Sequence, residues 1–375
     1  MKHDWSFLPL RLCQKKGIRH YIHAVFVDDS GMALLMTLAA ISFLVAVTVD
    51  LATSVNWQMQ ASRGLQESVR MDEALISGLN LVRASLFADQ RKQHYDTLLD
   101  GWNTPDEEAL HTLFAGMQLS VHVQDMSGRI QINRLVGSKK NTKNQGRGAR
   151  RQPGSKVPGK VNGKNPEKLQ RELWIRFLLS GKFGVEGRQE AVALVDALSD
   201  WLDEDDNERD HGAESGYYQS LDTPYVCRNG PLQYPEELLL VKGFTRKLVY
   251  GDKEHEGIID YLTIYGQDGK ININTAPPRV LQALAPGVDE DMVGALITFR
   301  KEKENLGALK NPQWYRHAPD FPGDIVFDGN LVTTISSYFL VTITADINGL
   351  EQTGAGFLYR DPQTKEQDLL SWRVD

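Results

Sequence analysis

Cysteine is nearly absent from this sequence, with two residues in 375. Cys13 stands in a stretch read below as a leader that is removed, which leaves Cys227 alone. A single thiol excludes an intramolecular disulfide, even in an oxidising compartment, and excludes a zinc site of the cysteine type. Catalytic constellations are missing as well. There is no G-x-S-x-G, no H-E-x-x-H and no Cys/His pair with a suitable partner. His211, His255 and His317 are scattered in polar surroundings and read as surface residues, so no enzyme is expected. A positive excess is also lacking. The net charge is −7 with 24% charged residues, which argues against nucleic acid as the main partner.

Charge is absent altogether from Met32 to Val49, MALLMTLAAISFLVAVTV. A helix rises about 1.5 Å per residue, so this run is just long enough to cross a hydrocarbon core. Beyond Asp50 the spacing stays helical, with Leu51, Val55, Met59, Leu65, Val69, Leu75, Leu79 and Leu86 recurring at roughly one or two helical turns. One helix is therefore expected to leave the membrane and become the amphipathic spine of a soluble domain, ending near Ala88. Lys2, Arg11, Lys15, Lys16 and Arg19 precede the run, which places the N-terminus in the cytoplasm and the bulk of the chain outside. A secretory signal peptide fits poorly, because the run is too long and no A-x-A site follows. A plain anchor explains the run but neither Gly31 nor the continuing helix.

A basic leader, a glycine, an apolar helix and its soluble continuation resemble the N-terminus of type IV pilins and pseudopilins. The resemblance implies cleavage by a prepilin peptidase between Gly31 and Met32, followed by methylation of the new terminus. Two positions depart from the pattern. Asp28 and Asp29 sit where a basic residue is usual, and Met36 stands fifth after the cut, where most members carry Glu.

Further along, Met117 to Gln124 alternates as a strand. The phrase Asp125-Met-Ser-Gly-Arg-Ile-Gln-Ile-Asn133 returns as Asp268-Gly-Lys-Ile-Asn-Ile-Asn274. The two are read as hairpin strands of one sheet, each followed by helical sequence. Ser138 to Pro166 is rich in Lys, Arg, Gly, Asn and Pro, has no acidic residue, and is expected to be a flexible loop. Within it, Gly154-Ser-Lys-Val-Pro-Gly-Lys-Val161 nearly matches a phosphate-binding loop but lacks the hydroxyl that would hold magnesium. Glu167–Ser180, Gly187–Leu202, Pro235–Val241 and Glu290–Lys303 read as helices. Tyr338–Asp346, the turn Asn348-Gly349 and Thr353–Arg360 read as a hairpin, and Leu369–Val374 as a last strand. The class is α+β: a pilin-like long helix on an antiparallel sheet, with a large helical insertion. The expected divisions are a leader at 1–31, a transmembrane and spine helix at 32–90, and a first sheet part at 91–136. The basic loop takes 137–166 and the helical insertion 167–258. Sheet strands at 259–274, a second helical unit at 275–316 and C-terminal strands at 317–375 complete the chain.

The segment from Asp200 to Glu214 concentrates carboxylates. With Asp203 first, Asp205, Asn207 and Glu214 fall at the third, fifth and twelfth positions of a calcium loop. Alternating carboxylates let a tight turn aim oxygens inward. Glu208 stands where an EF-hand needs Gly, so this is a calcium loop of another design. The alternative is an exposed acidic loop capping a helix. So many carboxylates in one turn repel each other unless a cation offsets them, and calcium is favoured.

Trp201-Leu-Asp-Glu-Asp205, Gly212-Ala-Glu214, Tyr217-Tyr218, Pro224-Tyr225, Arg228-Asn229-Gly230-Pro231, Glu236 to Gly243 and Gly269 to Ala276 resemble, in that order, the minor pseudopilin K family of type II secretion. The resemblance implies a subunit at the tip of the pseudopilus, in complex with minor pseudopilins I and J and with other pseudopilins of the filament. By the same resemblance, such a subunit is expected to sit in the inner membrane and to help export folded proteins. It also implies calcium held by Asp203, Asp205 and Glu214, with Asp200, Asp206 and Asn207 completing the candidate set. A tip position agrees with Met36, because no subunit above offers an amine. A second reading is a membrane-anchored DNA-uptake receptor. Residues 271–300 are similar to a helix-hairpin-helix module, although the hairpin carries Asp289, Glu290 and Asp291 where a phosphate would sit.

Overall fold

The computed structural model describes residues 29–105, 107–114, 116–137 and 165–375. Most of the expected leader and the basic stretch from 138 to 164, with its phosphate-loop-like phrase, lie outside the described residues.

Helix α1 runs from Asp29 to Lys92, 64 residues, one turn past the expected end. It contains no proline. Thr37, Thr48 and Thr53 return their hydroxyls to carbonyls three or four residues back, so their polar groups are satisfied within the helix. Its first part presents large apolar side chains on every side, among them Leu34, Leu35, Ile41 and Phe43. A helix apolar all round requires an apolar surround. Among the described residues α1 is the one helix long and apolar enough to cross a membrane.

The described residues fall into two units that divide between Arg70 and Met71. Within the second, α1 buries Met71, Leu75, Leu79, Val82 and Leu86 against a sheet. Helix α2 (Glu107–Leu113) leads into β1 (Gln118–Asp125). A short β2 (Ile130–Gln131) is followed by the helices α3 (Pro166–Leu178), α4 (Arg188–Leu202), α5 (Ser215–Gln219) and α6 (Arg246–Tyr250). Then come β3 (Leu262–Thr263), β4 (Ile271–Asn272), α7 (Pro278–Ala283), α8 (Glu290–Lys301) and β5 (Val332–Thr333). The chain closes with β6 (Tyr338–Ile347), β7 (Leu350–Arg360) and β8 (Gln367–Val374).

The main sheet has the order β1-β6-β7-β8 and is antiparallel throughout. Along β6, Phe339, Val341, Ile343, Ala345 and Ile347 alternate inward and bury completely or nearly so. Asn348 and Gly349 both take positive φ, 56° and 84°, the turn that suits the right-handed twist of a hairpin. Gly78 lies at a tight contact of helix and sheet. A Cβ there would lie 3.2 Å from Ile343 Cγ2 and 3.3 Å from Leu119 Cδ2.

The repeated phrases do not join this sheet. β2 pairs in parallel with β3, and β4 in parallel with β5, as two separate two-stranded pieces. The reason lies in the polar side chains of the phrases. Asn133 donates to the carbonyls of Leu232 and Ile264, and Asn274 to those of Asp96 and Leu309. Gln131 holds the turn of the second phrase, donating to Asp268 and to the Lys270 carbonyl and accepting from the Gly269 amide. These residues clamp distant segments, and after two residues the backbone turns away from ladder pairing.

Two apolar cores result. One lies between α1 and the main sheet, and the other lies inside the helical unit around Leu173, Trp174, Phe177, Leu198, Trp201 and Tyr218. Buried polar side chains stand where the segments meet. Asp125 accepts from Ser336, Thr275, Asn272 and the Ser127 amide. Arg360 is buried over the Phe339 ring and pairs with Asp96. Near the end of α1, Asp89, Asp96 and Asp100 have oxygens within 4.8 Å of one another. Asp100 accepts from Thr97, Gln93 and Trp102, while one oxygen of Asp89 has no partner. Burial, then Asp100 and Asp96, push the Asp89 carboxyl up to about 7.

Two outcomes are expected. Gly78→Val forces α1 off the sheet and destabilises the protein by about 1–3 kcal/mol, read from thermal melts of the full chain in detergent. Asp89 favours its proton in the folded state. Its contribution is therefore complete below the unfolded carboxyl pKa near 3.9 and is lost as pH rises through about 7. Asp89→Asn should raise the melting temperature at pH 8 and scarcely alter it at pH 4.

Candidate metal centre

Helix α4 delivers Asp200 and Trp201 to the core, and its C-cap Asp203 turns extended to open the acidic turn. Asp200 is fully buried. Its carboxylate accepts from the amides of Arg209 and Ala213 and from Arg209 Nη1 at 2.6 Å. Burial raises its pKa, and the Arg209 bonds oppose that rise. Gly212 is required beside it, because a Cβ would overlap Asp200 Oδ2. The same Nη1 reaches Asp203 Oδ2 at 2.7 Å. Asp205 accepts from the amide and side chain of Asn207, and Asp206 accepts from the Ser215 amide.

Four oxygens in this neighbourhood are buried and accept no hydrogen bond: Asp203 Oδ1, both carboxylate oxygens of Glu214, and Asn229 Oδ1. A buried acceptor without a donor costs on the order of 1–3 kcal/mol, more when charged. Burial first, and then Asp200, Asp203, Asp206 and Asp205, push Glu214 up to about 7. Asn229 is tied to the turn through its Nδ2, which donates to the Asp205 carbonyl, and it takes a positive φ of 46°. All four are hard oxygen donors of the kind calcium takes, and the one soft group beside them is the buried Cys227 thiol next to Glu214, which burial first of all pushes up to about 11, so that it stays a neutral thiol. The donor set therefore fits a hard divalent cation. A cleft of about 990 Å³ opens beside it, lined in part by Asp203, Glu204, Asn229, Arg134 and Lys270.

The six expected ligands thus separate. Asp203 and Glu214 present open oxygens, and Asp205, Asp206 and Asn207 lie in the same turn with hydrogen bonds of their own. Asp200 is turned to Arg209 and two amides. Among the described residues, no three carboxylates of this turn stand within 4.8 Å of one another, as those of Asp89, Asp96 and Asp100 do. Asn229 was not among the expected ligands. Its one sequence signal is its place before Gly230-Pro231, 15 residues after Glu214. As expected, the turn is no EF-hand, for the exiting helix α5 has five residues.

The α7–α8 hairpin does not support the DNA-receptor reading. Asp289 caps α8 by accepting from the Met292 amide, so a carboxylate stands where a phosphate would dock. Glu290 pairs with Arg279 and Lys182, which consumes the nearby cations.

Comparison with known proteins follows the same lines. Family models described as type II secretion system (T2SS), protein K match residues 128–250 and 271–334. A type II secretion system protein K from Pseudomonas aeruginosa is 25% identical over 282 residues, 71% of this chain and 72% of the relative. One from Aeromonas hydrophila is 25% identical over 284 residues, 73% of this chain and 77% of the relative. A structure of the GspK–GspI–GspJ complex from the enterotoxigenic Escherichia coli type 2 secretion system contains a chain of similar fold. Its TM-score is 0.56 at 17% identity, with 84% of this chain and 99% of that chain covered. The first matched segment holds the whole acidic turn with Asn229, and the second holds the α7–α8 hairpin. This chain belongs to the type II secretion system protein K family.

Proposed function

We propose that this minor pseudopilin caps the pseudopilus tip, helps to start its assembly, and is a structural subunit stabilised by calcium. The observation that carries the reading is α1, apolar on every side to Val49 and then amphipathic against a pilin-like sheet. Such a helix can anchor in the inner membrane with its N-terminus in the cytoplasm and its soluble part in the periplasm. Cleavage by the prepilin peptidase after Gly31 would release it into the filament. Met36 supports the tip position, since a subunit with nothing above it needs no carboxylate for a neighbour's terminal amine. Partnership with minor pseudopilins I and J is supported by the complex in which the structurally similar chain was solved.

Calcium is the second part of the reading. Asp203, Glu214 and Asn229 would hold it, with Asp205 and Asp206 close by. The ion would supply the positive charge that these oxygens lack. It would also tie the end of α4 to the turn before α5 and to the loop at Asn229.

Three measurements test this. Gly31→Leu should leave an unprocessed precursor, seen as a higher mass on gels of membrane fractions, and should stop secretion. Processing at the normal mass would place the cut elsewhere. Full-length protein should co-purify with pseudopilins I and J from detergent extracts, and recovery of neither would reject the tip assignment. Calcium should raise the melting temperature of full-length protein in detergent, because a ligand of the folded state adds its binding free energy to stability. Chelator should reverse the rise, and Glu214→Gln or Asp203→Asn should abolish it. An equal rise in both variants would exclude these ligands.

A further inference from the structure

Arg209 stands among the carboxylates in a way that the calcium reading leaves unexplained. Among the described residues, its guanidinium is the one positive group bonded to the turn's buried acids. A single nitrogen, Nη1, bridges Asp200 Oδ1 at 2.6 Å and Asp203 Oδ2 at 2.7 Å. Nη2 lies 3.6 Å from Glu167 in the first turn of α3. Asp203 is thereby divided, with one oxygen on Arg209 and the other buried without a partner. Asp200 differs, since two backbone amides would remain on it without the guanidinium. Arg209 is only half-buried and has room to move, while Asp200 has none.

A guanidinium and a divalent cation cannot share Asp203 without cost. At an effective dielectric of about 20 and separations of about 6 Å, their repulsion amounts to several kcal/mol before screening. Glu167 offers the displaced guanidinium a second carboxylate that is already within reach. Resting on the calcium reading above, we propose that Arg209 is an internal counter-cation. It cross-links Asp200 and Asp203 in the calcium-free protein. It gives up Asp203 and moves onto Glu167 when calcium binds. The calcium affinity of the turn is thereby set from within the chain, and binding is linked to the start of α3.

The test is calorimetric titration of full-length protein in detergent with calcium chloride, together with melts in chelator. Arg209→Met should lower the calcium-free melting temperature and tighten calcium binding by about tenfold or more. Arg209→Lys keeps the charge but loses the placement of Nη1 between the two acids and the Nη2 that faces Glu167, and it should tighten binding less. It also serves as the folded control should Arg209→Met not fold without calcium. Glu167→Gln removes the acceptor of the displaced group and should weaken binding by about two- to threefold, the size expected of a partly exposed pair. Unchanged or weaker binding in folded Arg209→Met and Arg209→Lys would overturn the proposal while leaving calcium in place. Absence of binding in the wild type with binding in Arg209→Met would support it, with Arg209 the stronger competitor. Absence of binding in every variant would overturn both readings.

Discussion

A carboxylate taken out of water must be answered by donors or by a cation, and this constraint organises the soluble part of the chain. Asp125 is answered by hydroxyls and an amide from two distant segments and by the Ser127 amide nearby. Asp96 is answered by Arg360, which also caps the Leu86 and Ser336 carbonyls. Asp200 is answered by Arg209 and two amides. The first two join residues far apart in sequence and the third closes a local turn, so these acids fix how segments meet, whereas the apolar cores fix only that they meet. Removing one partner of such a group leaves an uncompensated buried charge, which is why the joints are intolerant although each pair adds little net stability.

Glu214 is the exception, and the exception points to function. Both of its oxygens are buried without a donor, beside Asp203 Oδ1 and Asn229 Oδ1. Among the described residues, the other buried carboxylates are satisfied from within save one oxygen of Asp89, so a concentrated shortfall at one turn calls for something from outside. The contrast with the Asp89 cluster is instructive. Its three carboxylates stand closer together, yet Arg360 and several protein donors already occupy them, and one open oxygen remains. Proximity of acids marks electrostatic tension, whereas open buried oxygens mark a place for a ligand.

Much of the fold was legible in the sequence because it follows local rules. The uncharged run at Met32–Val49 and its heptad-like continuation specify α1. Strict alternation around Asn348-Gly349 specifies the β6–β7 hairpin and its register. The two Ile-x-Ile-Asn phrases were misread for a physical reason. Alternation describes a strand, but the fate of the phrase depends on where Asn133, Asn274 and Gln131 find partners, and those partners lie 35 to 178 residues away.

The site was legible in part for the same reason. Spacing brought out Asp203 and Glu214, since both lie in one turn of chain. It could not separate Asp200 from them, because that distinction rests on the Arg209 and Ala213 amides and on the space left by Gly212. Nor could it reveal Asn229, which a different loop delivers in a left-handed conformation. Sequence shows how much negative charge is gathered, and the fold decides which part of it is already neutralised. In this chain that decision falls on Arg209. It sits at the border between satisfied and unsatisfied oxygens, bonded to one side of Asp203 while the other side stays open. A side chain placed there cannot be neutral toward a cation that approaches the open side, because the two would compete for the same carboxylate.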